Sequence, residues 1–510
     1  MTLLQALMRR RNLTREATIR LLAERAKTEG VKGFSLTVRQ LDRLLAGEHA
    51  TGPRPAARAV LEAEFDFPTD LLLGPADNVA GGAFMGARGG TTRELSRTDL
   101  VGWLSRYAGV SFEETYAAVA EAAGTLAGYP PSVVAATAHA RTVLRRSVIA
   151  RAVHEYYGTA PFYRATVADA EQALSLSVLT EDSWIARRVE LGTAREQAVL
   201  VEEDDEDAIK MRPEVYAAAV QRLAAVEVGD TVLTENPLFR LLDLSIDHDL
   251  SARFAPTTFS AYALTVDLLA GELLDALVRH RGRPPTLALR DHYLPSVASA
   301  RRFGERICAG GPVCLLAIAR EDDLLLVVQE RSPLVLNAAS RLAVVPKAFH
   351  QPLGDDRGAL LSVTLERELE EELFGREELN QLSPETRRLL APGHPSADSA
   401  PMRWLRTHPE SLRTYCCAVG INLLSGNYEI ACVAIIEDPA WWDAFGGSLR
   451  ANWEIERTHC YSSRDRDALA RLACDPRWSD EGLFAFLEGL RFLAHELPAK
   501  VHAPSIEVSL

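Results

Sequence analysis

Cysteine is scarce in this chain of 510 residues, with seven in all and none before Cys308. No two are spaced CxxC, which argues against both a disulfide framework and a structural zinc site. The seven (Cys308, Cys314, Cys416, Cys417, Cys432, Cys460 and Cys474) read as reduced, small core residues of the C-terminal third. Any run of about 18 apolar residues is also missing, which excludes a membrane-spanning helix. The N-terminal MTLLQALMRRRNLTRE lacks the long apolar core and small-residue cleavage site of a secretory leader. A cytoplasmic protein with no membrane partner is therefore expected. No P-loop, GxGxxG or nucleophile-elbow pattern occurs. What the chain does have is ordinary globular material, 47% hydrophobic and 25% charged, long enough for about three domains.

Charge is distributed unevenly. Residues 1–60 carry twelve basic side chains against five acidic ones, a surplus of seven, so with the whole chain at −14 the remainder holds −21. A small basic head on an acidic body suits a nucleic-acid-binding module joined to an effector region. A solvated helical face is the plainer alternative.

The head reads as four helices. The first covers 2–11. Thr14 caps a second, running to about Lys27, with Ala17, Ile19, Leu21, Leu22 and Ala26 inward. Gly30 and Gly33 break the chain. Ser35 or Thr37 opens a third helix, with Leu36, Val38, Leu41, Leu44 and Leu45 inward and Gly47 ending it. The fourth spans Pro55 to about Phe65. A helix-turn-helix places one such helix in the major groove of DNA. Here that helix is Ser35–Leu45, and its outward residues are Thr37, Arg39, Gln40 and Arg43. Arg suits guanine O6/N7 and Gln suits adenine N6/N7. Arg9, Arg10, Arg11 and Arg15 are candidate phosphate contacts, which position rather than specify.

The segments LLQALMRRRNLT and FSLTVRQLDRLLAGEHATGPRPAARAVLEAEFDFPTDLLLGP resemble the lambda-repressor-like (XRE-type) helix-turn-helix heads of actinobacterial regulators. The resemblance covers about 75 residues. It implies double-stranded DNA as partner and a homodimer reading paired half-sites.

Gly74–Arg93 is Gly-rich and aperiodic, a linker pattern. Beyond it, Ser111–Glu114 forms a capping-box signature opening a helix to about Leu126. Further helical patterns cover 134–157, 213–226 and 259–280, with the acidic run Glu202–Glu206 read as a solvated loop. From about residue 306 the pattern changes. Val313–Ala319 and Leu324–Gln329 form a β-hairpin signal, 341–346 and 430–436 read as strands, and 359–374 and 482–497 read as helices. Asp247-His248-Asp249 lacks partner ligands and reads as a loop. Trp441, Trp442 and Trp453 read as packing residues.

In LERELEEELFG, Glu368, Glu371 and Glu372 fall at i, i+3 and i+4, on one helix face. Such a face suits hard divalent cations, Mg²⁺ or Mn²⁺; an exposed acidic helix supported by Arg367 is the alternative. Two strands, a loop, Val344-Val345-Pro346 and then this helix resemble the Nudix domain. Arg367, Glu368, Leu369, Glu371 and Glu372 match the core of that family's signature. The loop departs from it, with Leu353, Ala359 and Phe374 at the first Gly, the Glu and the final Gly positions. Pro346-Lys347-Ala348 stands where Pro-Gly-Gly is expected. The resemblance implies that Glu368, Glu371 and Glu372 hold the metal and that Arg331, Lys347 and His350 line the ligand side. The altered loop implies a degenerate site suited to sensing a nucleotide or other diphosphate-type ligand.

The expected fold is therefore multidomain. An all-α helix-turn-helix head spans 1–75, a Gly-rich linker 76–95, a mostly helical middle region 96–300, and an α/β (α+β) Nudix-like sandwich 301–510. The expected function is a DNA-binding, ligand-sensing transcriptional regulator. The alternative is a divalent-metal-dependent Nudix hydrolase of a nucleoside-diphosphate-linked substrate, with a targeting or dimerising head.

Overall fold

The computed structural model describes residues 14–28, 31–45, 53–65, 97–129, 144–168, 172–202, 206–209, 211–228, 233–280, 286–331, 340–352, 359–374, 399–446 and 455–510, together with Leu4, Met8, Thr69, Leu73, Arg93, Glu94, Arg141 and Leu449. They fall into two compact units, one ending at Gly89 and the other starting at Gly90, apart from a stretch outside the described residues.

The first unit is helical. Helices α1 (Arg15–Thr28), α2 (Val38–Leu45) and α3 (Pro55–Phe65) close over Leu22, Ala26, Leu41, Leu44, Leu45, Val60, Leu61 and Phe65. Thr14 caps α1 by accepting from the Ala17 amide at 3.1 Å. The turn before α2 passes through Gly33 at φ +79°, a conformation glycine reaches without Cβ strain. Helix α2 begins at Val38 with Thr37, one of the two expected openings, as its cap: the Gln40 amide donates to Thr37 Oγ1 at 3.3 Å. Leu36 and Val38 are half-buried. Of the expected first helix only Leu4 and Met8 are described, and both are buried and helical.

The second unit is built on a ten-stranded mixed sheet. Its strands are β1 (Phe162–Val167), β2 (Gln172–Leu179), β3 (Val189–Glu190), β7 (Gly310–Ala319), β8 (Leu324–Arg331), β9 (Leu342–Val344), β10 (Leu412–Asn422), β11 (Asn427–Ile436), β12 (Ile455–Ser462) and β13 (Ile506–Ser509). The main order is β9-β8-β7-β11-β10-β2-β1-β13, with β12 paired to β8 and β3 to β10. Strands β7 and β11 run parallel and are buried along their whole length. A separate three-stranded sheet holds β4 (Glu196–Leu200), β5 (Pro237–Ile246) and β6 (Leu250–Thr258).

Alternation along β7 builds two cores. Val313, Leu315 and Ala317 pack with Leu483, Phe484, Phe486 and Leu487 of helix α11 (Asp480–Glu496). Cys314, Leu316 and Ile318 share the other core with Leu361, Leu365 and Leu369 of helix α9 (Leu361–Glu372). A layer of helices thus lies against each face of the sheet, as a fully buried strand requires. The second core also takes in Leu100 and Leu104 of α4 (Arg97–Ala108), Val119 of α5 (Phe112–Ala127), Ile149 of α6 (Arg146–Tyr157), Val215 of α7 (Pro213–Glu227) and Leu269 of α8 (Leu268–His280). The capping box at Ser111 is formed, with Glu114 as its reciprocal partner.

Two sequence expectations change here. Beside its helices the middle region also carries β1 to β6, and β1 and β2 belong to the same sheet as the C-terminal strands. Residue 300 therefore does not divide two compact units. Ala, Ser and Gln are weak strand formers, but the alternation of Leu174, Leu176 and Val178 with serines is a strand signal present in the sequence. The linker expectation ends early: Arg93–Glu94 pairs with Thr234–Glu235, and the rest of 76–95 lies outside the described residues. Five cysteines are buried as expected, whereas Cys460 is exposed and Cys474 half-exposed. No helix among the described residues is long and apolar enough to cross a membrane.

Candidate functional site

On the head, α2 buries Leu41, Leu44 and Leu45 and exposes Thr37, Arg39, Gln40 and Arg43. Arg39 and Arg43 are four residues apart and so share a face. Gln40 is already engaged, since its Oε1 accepts from the Thr37 amide at 2.8 Å and from the Thr37 hydroxyl at 3.0 Å. This closes a capping box with the Gln40-to-Thr37 bond. Bidentate adenine recognition needs that same amide oxygen as acceptor. Gln40 accordingly sets the first turn of α2. Arg15 is ion-paired with Asp42 of α2. Arg9, Arg10 and Arg11 lie outside the described residues.

In the second unit, the acidic helix α9 sits beside the segment that follows β9. That segment runs along the start of β7: the Cys314 amide donates to Pro346 O at 2.9 Å and the His350 amide to Gly310 O at 2.8 Å. The approach is close enough that a Cβ on Gly311 would lie 2.3 Å from Ala348 O, so only glycine fits. Arg367 is fully buried and donates to Gln351 Oε1 at 2.9 Å and Phe349 O at 3.5 Å, and it is ion-paired with Glu368. Glu370 accepts the Ser399 amide at 3.0 Å, ahead of helix α10 (Ala400–Thr407). Glu372 accepts the Lys347 amide at 3.2 Å. Glu371 is buried.

Lys347 turns its ammonium toward Glu481. Its Nζ lies 2.5 Å from Glu481 Oε1, and Glu481 Oε2 accepts from Asn422 Nδ2 at 3.2 Å. Burial would raise the Glu481 carboxyl, but Lys347 beside it brings it below the usual range. Glu429 of β11 lies in the same cluster. Burial, then the Glu481 charge, push its carboxyl up to about 8. Next along α11, Asp480 accepts from the Ser177 amide at 2.7 Å and pairs with Arg146 at 3.4 Å.

His350 is placed in the core rather than on a ligand side. Its ring lies between Phe239 and Phe254, at 4.8 and 4.7 Å. Nε2 is 2.9 Å from Ala359 O, a pure acceptor, so Nε2 carries the proton and Nδ1 accepts from the Thr364 hydroxyl at 2.8 Å. Burial, helped by the Arg367 charge, lowers its pKa to about 3. Arg331 is buried at the end of β8.

Three of the helix acids meet groups of the protein: Glu368 meets Arg367, Glu372 the Lys347 amide and Glu370 the Ser399 amide. Among the described residues no group of three or more His, Cys, Asp or Glu side chains is arranged to hold a metal ion. Asp247 and Asp249 lie in the exposed turn between β5 and β6. Trp441 is buried, with Nε1 donating to Pro401 O at 3.2 Å, while Trp453 lies outside the described residues.

Sequence reasoning missed Glu429, Glu481, Asp480 and Asn422. A signal was present, since Glu429 is the one charge in the otherwise apolar run Tyr428–Ile436, and Asp480-Glu481 opens a helix that is apolar for most of its length.

Compared with known proteins, no family model matches the chain and no curated protein matches it.

Proposed function

We propose that this chain is a DNA-binding transcriptional regulator whose C-terminal, Nudix-like region binds a nucleotide or other diphosphate-type ligand. One observation carries the reading: α2 buries its three leucines and exposes Arg39 and Arg43 side by side, on a basic head set apart as its own compact unit. That is the distribution a helix in the major groove requires. Base contacts fall to Arg39 and Arg43, and backbone contacts to neighbouring basic residues. A homodimer on paired half-sites completes the reading. The ligand acts by binding the DNA-competent and incompetent states with different affinity.

The engagement of Glu368, Glu370 and Glu372 by groups of the protein itself favours binding over metal-assisted cleavage. The test is selection of genomic fragments by the full-length protein, beside a form lacking residues 1–75. A shared motif recovered only by the full-length chain supports the reading. Equal recovery by both, or by neither, overturns it. Mg²⁺- or Mn²⁺-dependent release of a monophosphate, abolished by Glu371→Gln or Glu372→Gln, would replace ligand sensing with hydrolysis.

A further inference from the structure

Between Glu121 and Glu155 the chain holds no acid and four arginines, Arg141, Arg145, Arg146 and Arg151. This is a basic stretch in a body whose overall charge is negative. The fold turns part of it into a recess. A groove of about 460 Å³ runs between one face of α6 and strand β2, lined by Arg146, Ser147, Arg151, His154, Glu155 and Ser175 among others. That volume takes a small organic ligand.

Its chemistry is directional. Arg146 is only 8% exposed, yet it lines the groove. Asp480 at 3.4 Å and Ser175 O at 2.9 Å hold its Nη1, while its buried Nε has no hydrogen-bond partner. A buried guanidinium N–H without an acceptor is costly. Arg151 is exposed and has no ion pair among the described residues. No side chain caps the N-terminus of α6, so the positive end of its dipole adds to the field over Ser147. Arg164 lies near enough to His154, and Arg341 near enough to Arg146, for their charges to be felt there. Against these four guanidinium groups stand Glu155 in the lining, Asp480 behind Arg146 and Glu481 near Arg341.

We propose that the groove between α6 and β2 binds a small phosphate-bearing anion, with Arg146 and Arg151 as its cations and the Ser147 and Ser175 hydroxyls as further donors. Planar guanidinium groups match phosphate oxygens in pairs, and charge-assisted bonds of this kind are stronger than neutral ones. The site is separate from the acidic helix α9 and does not depend on the DNA-binding reading of the head.

The test is calorimetric titration of the full-length protein with inorganic phosphate, pyrophosphate and ADP, each against chloride at matched ionic strength. Saturable binding of at least one is expected. Preference for ADP marks a nucleotide as the source of the phosphate, and equal binding of all three marks the phosphate group alone. Arg151→Glu and Ser147→Asp alter exposed positions, so they keep the fold, which circular dichroism checks. Each is expected to weaken binding by about tenfold or more, the loss of one charge-assisted bond. Arg39→Ala in the head leaves it unchanged. No saturable binding at millimolar concentration, or equal binding by both groove variants, overturns the proposal.

Discussion

Gln40 holds the first turn of α2 with the same carbonyl oxygen that adenine recognition requires. Its role and those of Arg39 and Arg43 should therefore separate on mutation. Gln40→Ala removes half of the capping box and is expected to cost about 1 kcal/mol of head stability, with the selected DNA motif unchanged. Arg39→Ala or Arg43→Ala is expected to leave the melting temperature alone and to relax the motif at one base pair each, by about 1–3 kcal/mol of discrimination. A motif that shifts with Gln40 and not with the arginines would falsify this division. Two buried groups give opposite pH effects. Glu429 keeps its proton in the fold up to about pH 8, whereas the unfolded chain releases it near 4.5, so stability is lost as pH rises between those values. Glu429→Gln should then gain on the native protein across that window, by at most about 1.4 kcal/mol per pH unit, and match it below. His350 stays neutral in the fold down to about pH 3, so its contribution is lost as pH falls from 6.5. Thermal melts across pH 4 to 9 read both.

At the scale of elements, α9 and α11 owe their positions to different features. In α9, Leu361, Leu365 and Leu369 recur every four residues and lie against β7, which leaves the acids to find partners along its flanks. Leu365→Ala or Leu369→Ala is expected to cost about 2–5 kcal/mol, measured by denaturant unfolding. Helix α11 comes closer to the sheet because it carries Gly489 where a Cβ would lie 2.9 Å from Leu315 Cδ2. Gly489→Ala should therefore destabilise, although alanine is the better helix former. Stabilisation by that substitution would show that the approach is looser. The elements of α9 and of the β7–β8 hairpin were legible in the sequence, since apolar periodicity and turn residues agree there. The partners of their polar side chains were not, because hydrogen bonds such as Lys347 to Glu481 join residues more than a hundred positions apart.

At the scale of the molecule, two boundaries behave differently. The head is its own compact unit, so a chain starting near Gly90 is expected to fold with cooperative unfolding and no DNA binding. A chain starting at residue 301 loses β1, β2 and β3 from the sheet, and with them the neighbours of β10 and β13. It is expected to aggregate or to lack a sharp transition, because edges and apolar faces are left open. Recovery of a soluble, cooperatively melting 301–510 fragment would show the sheet to be divisible after all. DNA binding by the full chain should weaken steeply with salt, as phosphate contacts release counterions.

The sequence by itself determined helices α1 to α3 of the head, the charge contrast between head and body, the capping box at Ser111 and most elements after residue 306. Each of these rests on local spacing, on the chemistry of a turn or on simple counting. Tertiary structure alone decided that strands from both sides of residue 300 share one sheet, that His350 is a core residue, and that Lys347 answers Glu481. It also gathered Arg146, Arg151 and their neighbours around one groove. Those outcomes depend on which distant segments meet and on how far burial excludes water, and neither is written in any single stretch of chain.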